Sequence, residues 1–183
     1  MKFKEVLKKY LDKFKTPDYA KELVQADAFI EPCLPLLKLM PALGFLPIDF
    51  HSGTPEKGKP ELRNRAFIRG IMTVSHAEAF VLHMAVYTDK TAIHIPIITY
   101  SNNDVLTIPV ALETTSKKIN VKNYYYLGIT EEEYDDMYKL VDLSKKEDVI
   151  YLFCWDPTWN KNASSPDGLF SYMVSVLKHI SKN

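Results

Sequence analysis

The chain has 183 residues, 46% of them hydrophobic, with 23 Lys and Arg balanced by 23 Asp and Glu. This is the composition of an ordinary folded protein, and a chain of this length buries roughly 70% of its unfolded surface, enough for one core without disulfide or metal staples. A formal charge of zero removes the long-range attraction that drives phosphate-backbone and membrane-surface binding, so a nucleic-acid partner is disfavoured.

Phe3, Val6, Leu7, Tyr10, Leu11 and Phe14 recur at spacings of three and four while lysines fill the other positions, which predicts an amphipathic first helix. Thr16-Pro17-Asp18 reads as an N-cap with Pro at the first helical position, opening a second helix to about Ala26. A Leu-rich stretch from Leu34 to Leu43 is the third, and Gly44 is placed to end it. From Phe45 the period changes. Phe45 to Phe50 and Ala66 to Thr73 read as strands, separated by the loop HSGTPEKGKPELRN with its two glycines and two prolines. Ser75-His76-Ala77-Glu78 is a capping box for a helix to about Tyr87.

Three strands are expected next, at about Ala92 to Thr99, Val105 to Glu113 and Ile119 to Leu127, with the turn run Ser101 to Asp104 pairing the first two as a hairpin. Thr130-Glu131-Glu132-Glu133 is a second capping box. Asp148 to Trp155 holds the most apolar strand, VIYLFCW, whose lack of alternation predicts a central position covered on both faces. Ser165-Pro166-Asp167 then caps a last helix with Leu169, Phe170, Met173, Val174, Leu177 and Ile180 facing inward. No repeat or linker is visible. The expectation is one α+β domain over 1–183: a helical N-terminal segment (1–44), then a body (45–183) with a mixed sheet of five to six strands and helices packed on it.

The N-terminus MKFKEVLKKYLDKFK lacks the continuous apolar stretch of a secretory signal, and no run approaches the 18 apolar residues of a membrane span. The only cysteines, Cys33 and Cys154, lie in apolar surroundings and form no C-x-x-C pair. They suit a reducing compartment, so a cytoplasmic location is expected. The sequon Asn162-Ala163-Ser164 has no consequence without a signal.

Gly53 to Lys59 has the G-x-x-x-x-G-K spacing of a phosphate loop, but Pro60 stands where the magnesium-binding hydroxyl belongs, and no long helix follows. His76 and His83 share a helix face but sit roughly 10 Å apart along the axis, too far to ligate one ion. His94 reads as a hydrogen-bonded interior or sheet-face histidine, and His179 suits the negative end of the last helix. No metal and no cofactor are expected. Asp49-Phe50-His51-Ser52-Gly53 brings a carboxylate, an imidazole and a hydroxyl to a strand end. Alternation nevertheless separates Asp49 and His51 from Ser52, so a turn explains the run as well as a triad does. Cys154 has only Asp156 beside it, a charge that disfavours a thiolate.

The arginines, Arg63, Arg65 and Arg69, are concentrated beside Lys57 and Lys59. In a strand Arg65, Phe67 and Arg69 share one face. That face suits an elongated anion or an acidic protein segment; a solvated surface, or pairing with the acidic helix from Glu131 to Asp136, explains the same residues. Tyr124 and Tyr126 share a face opposite to Tyr125 and serve either a protein contact or sheet packing. The leading expectation is a non-catalytic interaction or accessory protein with a protein partner or self-association. The alternative is an enzyme or ligand binder for a phosphorylated or other anionic molecule, with Arg63, Arg65, Phe67 and Arg69 as the binding face and His51 or Asp49 as the proton-transfer group.

Overall fold

The structure is a computed structural model that describes residues 1–54, 62–87, 92–94, 97–99, 107–114, 118–126, 128–144 and 147–182, with backbone alone at 85–87, 92–94, 97–99, 114, 123–126 and 128–131. Its helices are α1 (Phe3–Lys13), α2 (Pro17–Ala26), α3 (Leu34–Ala42), α4 (Val74–Tyr87), α5 (Glu131–Leu140) and α6 (Leu169–Ile180). Its strands are β1 (Leu46–Ser52), β2 (Leu62–Thr73), β3 (Ala92–His94), β4 (Ile97–Thr99), β5 (Thr107–Thr114), β6 (Ile119–Tyr126), β7 (Gly128–Thr130) and β8 (Val149–Trp159). The fold is α+β, as the element pattern predicts. The main sheet runs β3-β8-β2-β5-β6, with β1 on the same edge of β2 as β5, and β4 and β7 make a separate parallel pair.

β8 lies inside the sheet, between β3 and β2, as its continuous apolar run requires. On one face Ile68, Met72, Leu152 and Cys154 pack under α3, α4 and α6 in the largest core cluster, where Phe170, Met173 and Leu177 of α6 are fully buried. Each such side chain contributes about 1.5–3 kcal/mol of transfer free energy. On the opposite face Leu46, Ile71, Val149 and Tyr151 meet Phe3 and Val6 of α1 and Met137, Tyr138 and Val141 of α5. The amphipathic first helix therefore covers one end of the sheet. A third cluster on this same face joins Phe67, Phe153 and Val110, with Ile108 and Trp155 against it. The strip between these clusters carries the polar residues of β1 and β2.

Helix ends depart from several expectations. Gly44 ends α3, with its N–H donating to Pro41 O (3.2 Å) and that of Phe45 to Met40 O (3.0 Å). Thr16 occupies the N-cap of α2, but its hydroxyl donates to Lys13 O at 2.6 Å and so finishes α1 instead. The Ser75–Glu78 box does not form: β2 stays paired with β8 through Thr73, α4 begins at once at Val74, and Thr73 Oγ1 accepts from the His76 N–H (3.4 Å). Ser165 likewise belongs to a preceding turn, donating from Oγ to Asn162 O (2.7 Å). Gly168 caps α6, and the Ala163 carbonyl accepts from the Phe170 and Ser171 N–H groups (2.9 and 3.3 Å).

The expected strand from Ala92 to Thr99 divides. β3 pairs with β8 and β4 with β7, because Pro96 between them has no N–H to donate to a ladder. The expected hairpin around Ser101 to Asp104 is replaced by one between β5 and β6; residues 101–106 themselves lie outside the described residues. So do the Thr130 capping hydroxyl and most of the phosphate-loop-like run, residues 55–60.

Candidate functional site

Antiparallel registers order the polar strip into cross-sheet rows. In one row His94, Phe153, Arg69 and Asp49 stand opposite one another on β3, β8, β2 and β1; in the next stand Ala92, Trp155, Phe67 and His51. Side chains opposite each other across a ladder share a face. The sequence-predicted Asp49, His51, Phe67 and Arg69 are therefore brought together, while the next row of the other face holds Phe50, Ile68 and Cys154. The side chains of His94 and of Tyr124, Tyr125 and Tyr126 lie outside the described residues.

The Arg69 guanidinium donates through Nε and Nη2 to Asp49 Oδ2, at 3.1 and 2.5 Å. Tyr151 stands close enough to feel both charges, and burial pushes its hydroxyl up to about 12. The imidazole of His51 stacks on Phe67 (centroids 6.0 Å apart, planes at 16°), Phe67 meets Phe153 edge-on at 6.1 Å, and Phe153 stacks on Trp155 at 5.1 Å. Val110 of β5 closes over this aromatic row.

Arg65 is set apart by a bulge. Phe67 pairs with Trp155 but Arg65 with Trp159, so Asp156, Pro157 and Thr158 loop out of the ladder. Asp156 Oδ1 accepts from the Thr158 N–H at 2.9 Å, which closes that loop. The bulge places the Trp159 ring 4.0 Å from the Arg65 guanidinium, whose Nη1 donates to Pro109 O at 3.1 Å. Burial lowers the pKa of Arg65, partly offset by the charge of Asp156. Its buried Nε–H has no acceptor among the described residues. Asp156 itself is 1% exposed and held by Lys161 Nζ at 3.3 Å. Burial opposes the charge on Lys161, but its bond to Asp167 and the charge of Asp156 outweigh burial and raise its pKa.

The DFHSG run works as a junction. His51 Nδ1 accepts from the Gly53 N–H at 3.0 Å, and its Nε2 stands 3.9 Å from Asp27 Oδ2. That carboxylate also accepts from the Ser52 N–H at 2.9 Å. Ser52 is fully buried opposite Ala66, on the other face of the strand from His51, and its hydroxyl accepts from the Thr54 N–H at 3.4 Å, so no triad assembles. Gly53 has φ 79°, and a side chain there would meet Lys161 O at 2.5 Å. Asn162 of the sequon donates from Nδ2 to Thr54 Oγ1 (2.9 Å) and accepts at Oδ1 from the Ser164 N–H (2.8 Å); its amide pins the loop before α6 to the end of β1.

Both thiols are buried. Burial pushes Cys33 up to about 11 and Cys154 up to about 12, the opposite of what a nucleophile needs. Among the described residues no group of three His, Cys, Asp or Glu converges, and no helix is long and apolar enough to cross a membrane.

Two features escape the sequence reading. β6 is an edge strand of the main sheet, with Ile119 70% and Val121 51% exposed; the signal was the apolar alternation of Ile119 and Val121 between polar neighbours. In addition, His83 of α4 meets His179 of α6, a contact that spacing along one helix does not reveal. No protein-family model matches the chain, and no curated protein matches it.

Proposed function

We propose that the chain is a non-catalytic interaction protein that docks a protein partner on the arm formed by β5 and β6. The observation that carries this reading is the exposure of Ile119 and Val121 on the edge strand β6. Val121 stands opposite Leu112, and Leu112 opposite Arg63, so the apolar stripe continues into an exposed guanidinium. Among the described residues Arg63 makes no ion pair, whereas Arg69 is held by Asp49 and Arg65 by Trp159 and Pro109. Apolar side chains beside an arginine suit an interface. The complementary partner is an apolar segment that lies across the exposed face of this arm, from Val121 past Leu112, and sets a carboxylate against Arg63. The two buried free thiols fit a reducing, cytoplasmic setting.

A photo-crosslinking amino acid placed at Val121 in the full chain tests this reading. Cross-links to one protein, or to a second copy, that vanish with Arg63→Glu support it. The orphan Arg65 Nε–H favours a second reading, an anionic ligand. Thermal stabilisation by phosphate esters that is lost in Arg65→Ala, without any protein cross-link, would replace the first reading with the second.

A further inference from the structure

The groove between α4 and α6 has a volume of about 480 Å³ and is lined by His83, Tyr172, Ser175, Val176 and His179. The imidazole centroids of His83 and His179 lie 4.8 Å apart, with planes at 71°. Two imidazoles bound through nitrogen to one tetrahedral ion, at about 2.0–2.1 Å each, hold their centroids roughly 5 Å apart. The observed spacing matches that requirement.

The helices that carry the two rings are fixed relative to one another. Phe80 and Met84 of α4 and Val176, Leu177 and Ile180 of α6 belong to the same buried cluster, so the pair stands on rigid elements and needs side-chain adjustment only. Tyr172, Val176 and His179 recur at helical spacing and present one stripe of α6 to the groove. Neutral imidazole suits zinc, copper and nickel, whereas magnesium and calcium prefer oxygen ligands.

We propose that His83 and His179 form an exchangeable site for a divalent transition metal ion, with water completing its coordination. With two protein ligands the site is open, unlike the closed four-ligand sites that hold structural zinc. A bound ion bridges α4 and α6, and it stabilises the fold by mass action.

The test uses the full chain without a polyhistidine tag. Calorimetric titration with copper, nickel and zinc salts should give one site per chain, tightest for copper. His83→Gln and His179→Gln should each weaken binding at least tenfold, and the double variant should abolish it. Electron paramagnetic resonance of the wild-type chain with one equivalent of copper should show two imidazole nitrogens, which keeps the test decisive if a variant folds poorly. Unchanged binding in a folded double variant, or a wild-type copper spectrum with fewer than two imidazole nitrogens, overturns the proposal.

Discussion

Asp49 and Arg69 face each other across the β1–β2 ladder, and one carboxylate oxygen accepts both guanidinium bonds. The pair is about one-third exposed on each side, at 36% and 34%. Solvent therefore screens it, and its contribution lies near the top of the usual surface range, about 1 kcal/mol. Arg65 differs, because its Nε is buried and its guanidinium both stacks on Trp159 and donates to Pro109 O.

Arg65→Ala should accordingly cost about 2–3 kcal/mol, summing a cation–π contact and a charged hydrogen bond, while Arg69→Ala costs about 1 kcal/mol or less. Arg65→Lys should restore little, since an ammonium cannot stack as a plane. Urea unfolding at pH 7 measures all three, and a larger loss for Arg69→Ala than for Arg65→Ala would contradict the ranking.

Lys161 and Asp156 form the most buried ion pair among the described residues, with side chains 16% and 1% exposed. Removing Lys161 takes away the cation that touches this buried carboxylate and leaves, among the described residues, only the longer-range charge of Arg65 to oppose it. Lys161→Met should therefore cost about 3–5 kcal/mol, and adding Asp156→Asn should return part of that loss. If the double variant is less stable than the single one, Lys161 acts through something other than this charge.

How far these contacts could be read from the sequence depends on their range. The first helix and the burial of β8 were legible because hydrophobic period is a local signal that tertiary packing here reinforces. Alternation also correctly separated Asp49 and His51 from Ser52. The partner of Arg69 was not legible: the acidic helix from Glu131 to Asp136 was the pairing the pattern suggested, and only the β1–β2 register puts Asp49 opposite it. The bulge at Asp156 to Thr158, which slides Trp159 under Arg65, depends on two strands slipping past each other. The meeting of His83 and His179 depends on how two helices cross. Local pattern contains neither.

The exposed stripe on β6 predicts a separation of stability from binding. Ile119→Lys and Val121→Lys together should change folding stability by about 0.5 kcal/mol or less, because substitutions at exposed positions have small effects. They should abolish cross-linking from a probe at Leu112. Loss of cooperative unfolding in this variant would show instead that the stripe is covered within the chain.

Alkaline stability follows from the thiols. An ordinary thiol titrates near 8.5–9, but burial holds Cys33 to about 11 and Cys154 to about 12 in the folded chain. Below pH 8 both states keep these protons and the groups contribute no pH dependence. Above pH 9 the unfolded chain releases them and the folded chain does not, so the unfolded state binds fewer protons and stability falls as pH rises. Each thiol contributes up to about 1.4 kcal/mol per pH unit, roughly 2.7 for the two together, until pH reaches its folded value. Tyr151, also held at about 12, adds a further decline above its ordinary value of 10.0. Urea midpoints from pH 7 to 10.5 should be level at first and then drop, and Cys154→Ala should remove about half of the thiol share of the slope between pH 9 and 10, the rest coming from Cys33 and from the raised tyrosines, while lowering stability at every pH by the cavity it leaves. The same burial predicts that neither thiol reacts with a disulfide reagent at pH 8 until the chain unfolds. Rapid native-state labelling, or an alkaline slope unaffected by Cys154→Ala, would mean that these sulfurs are open to water and that the burial argument fails.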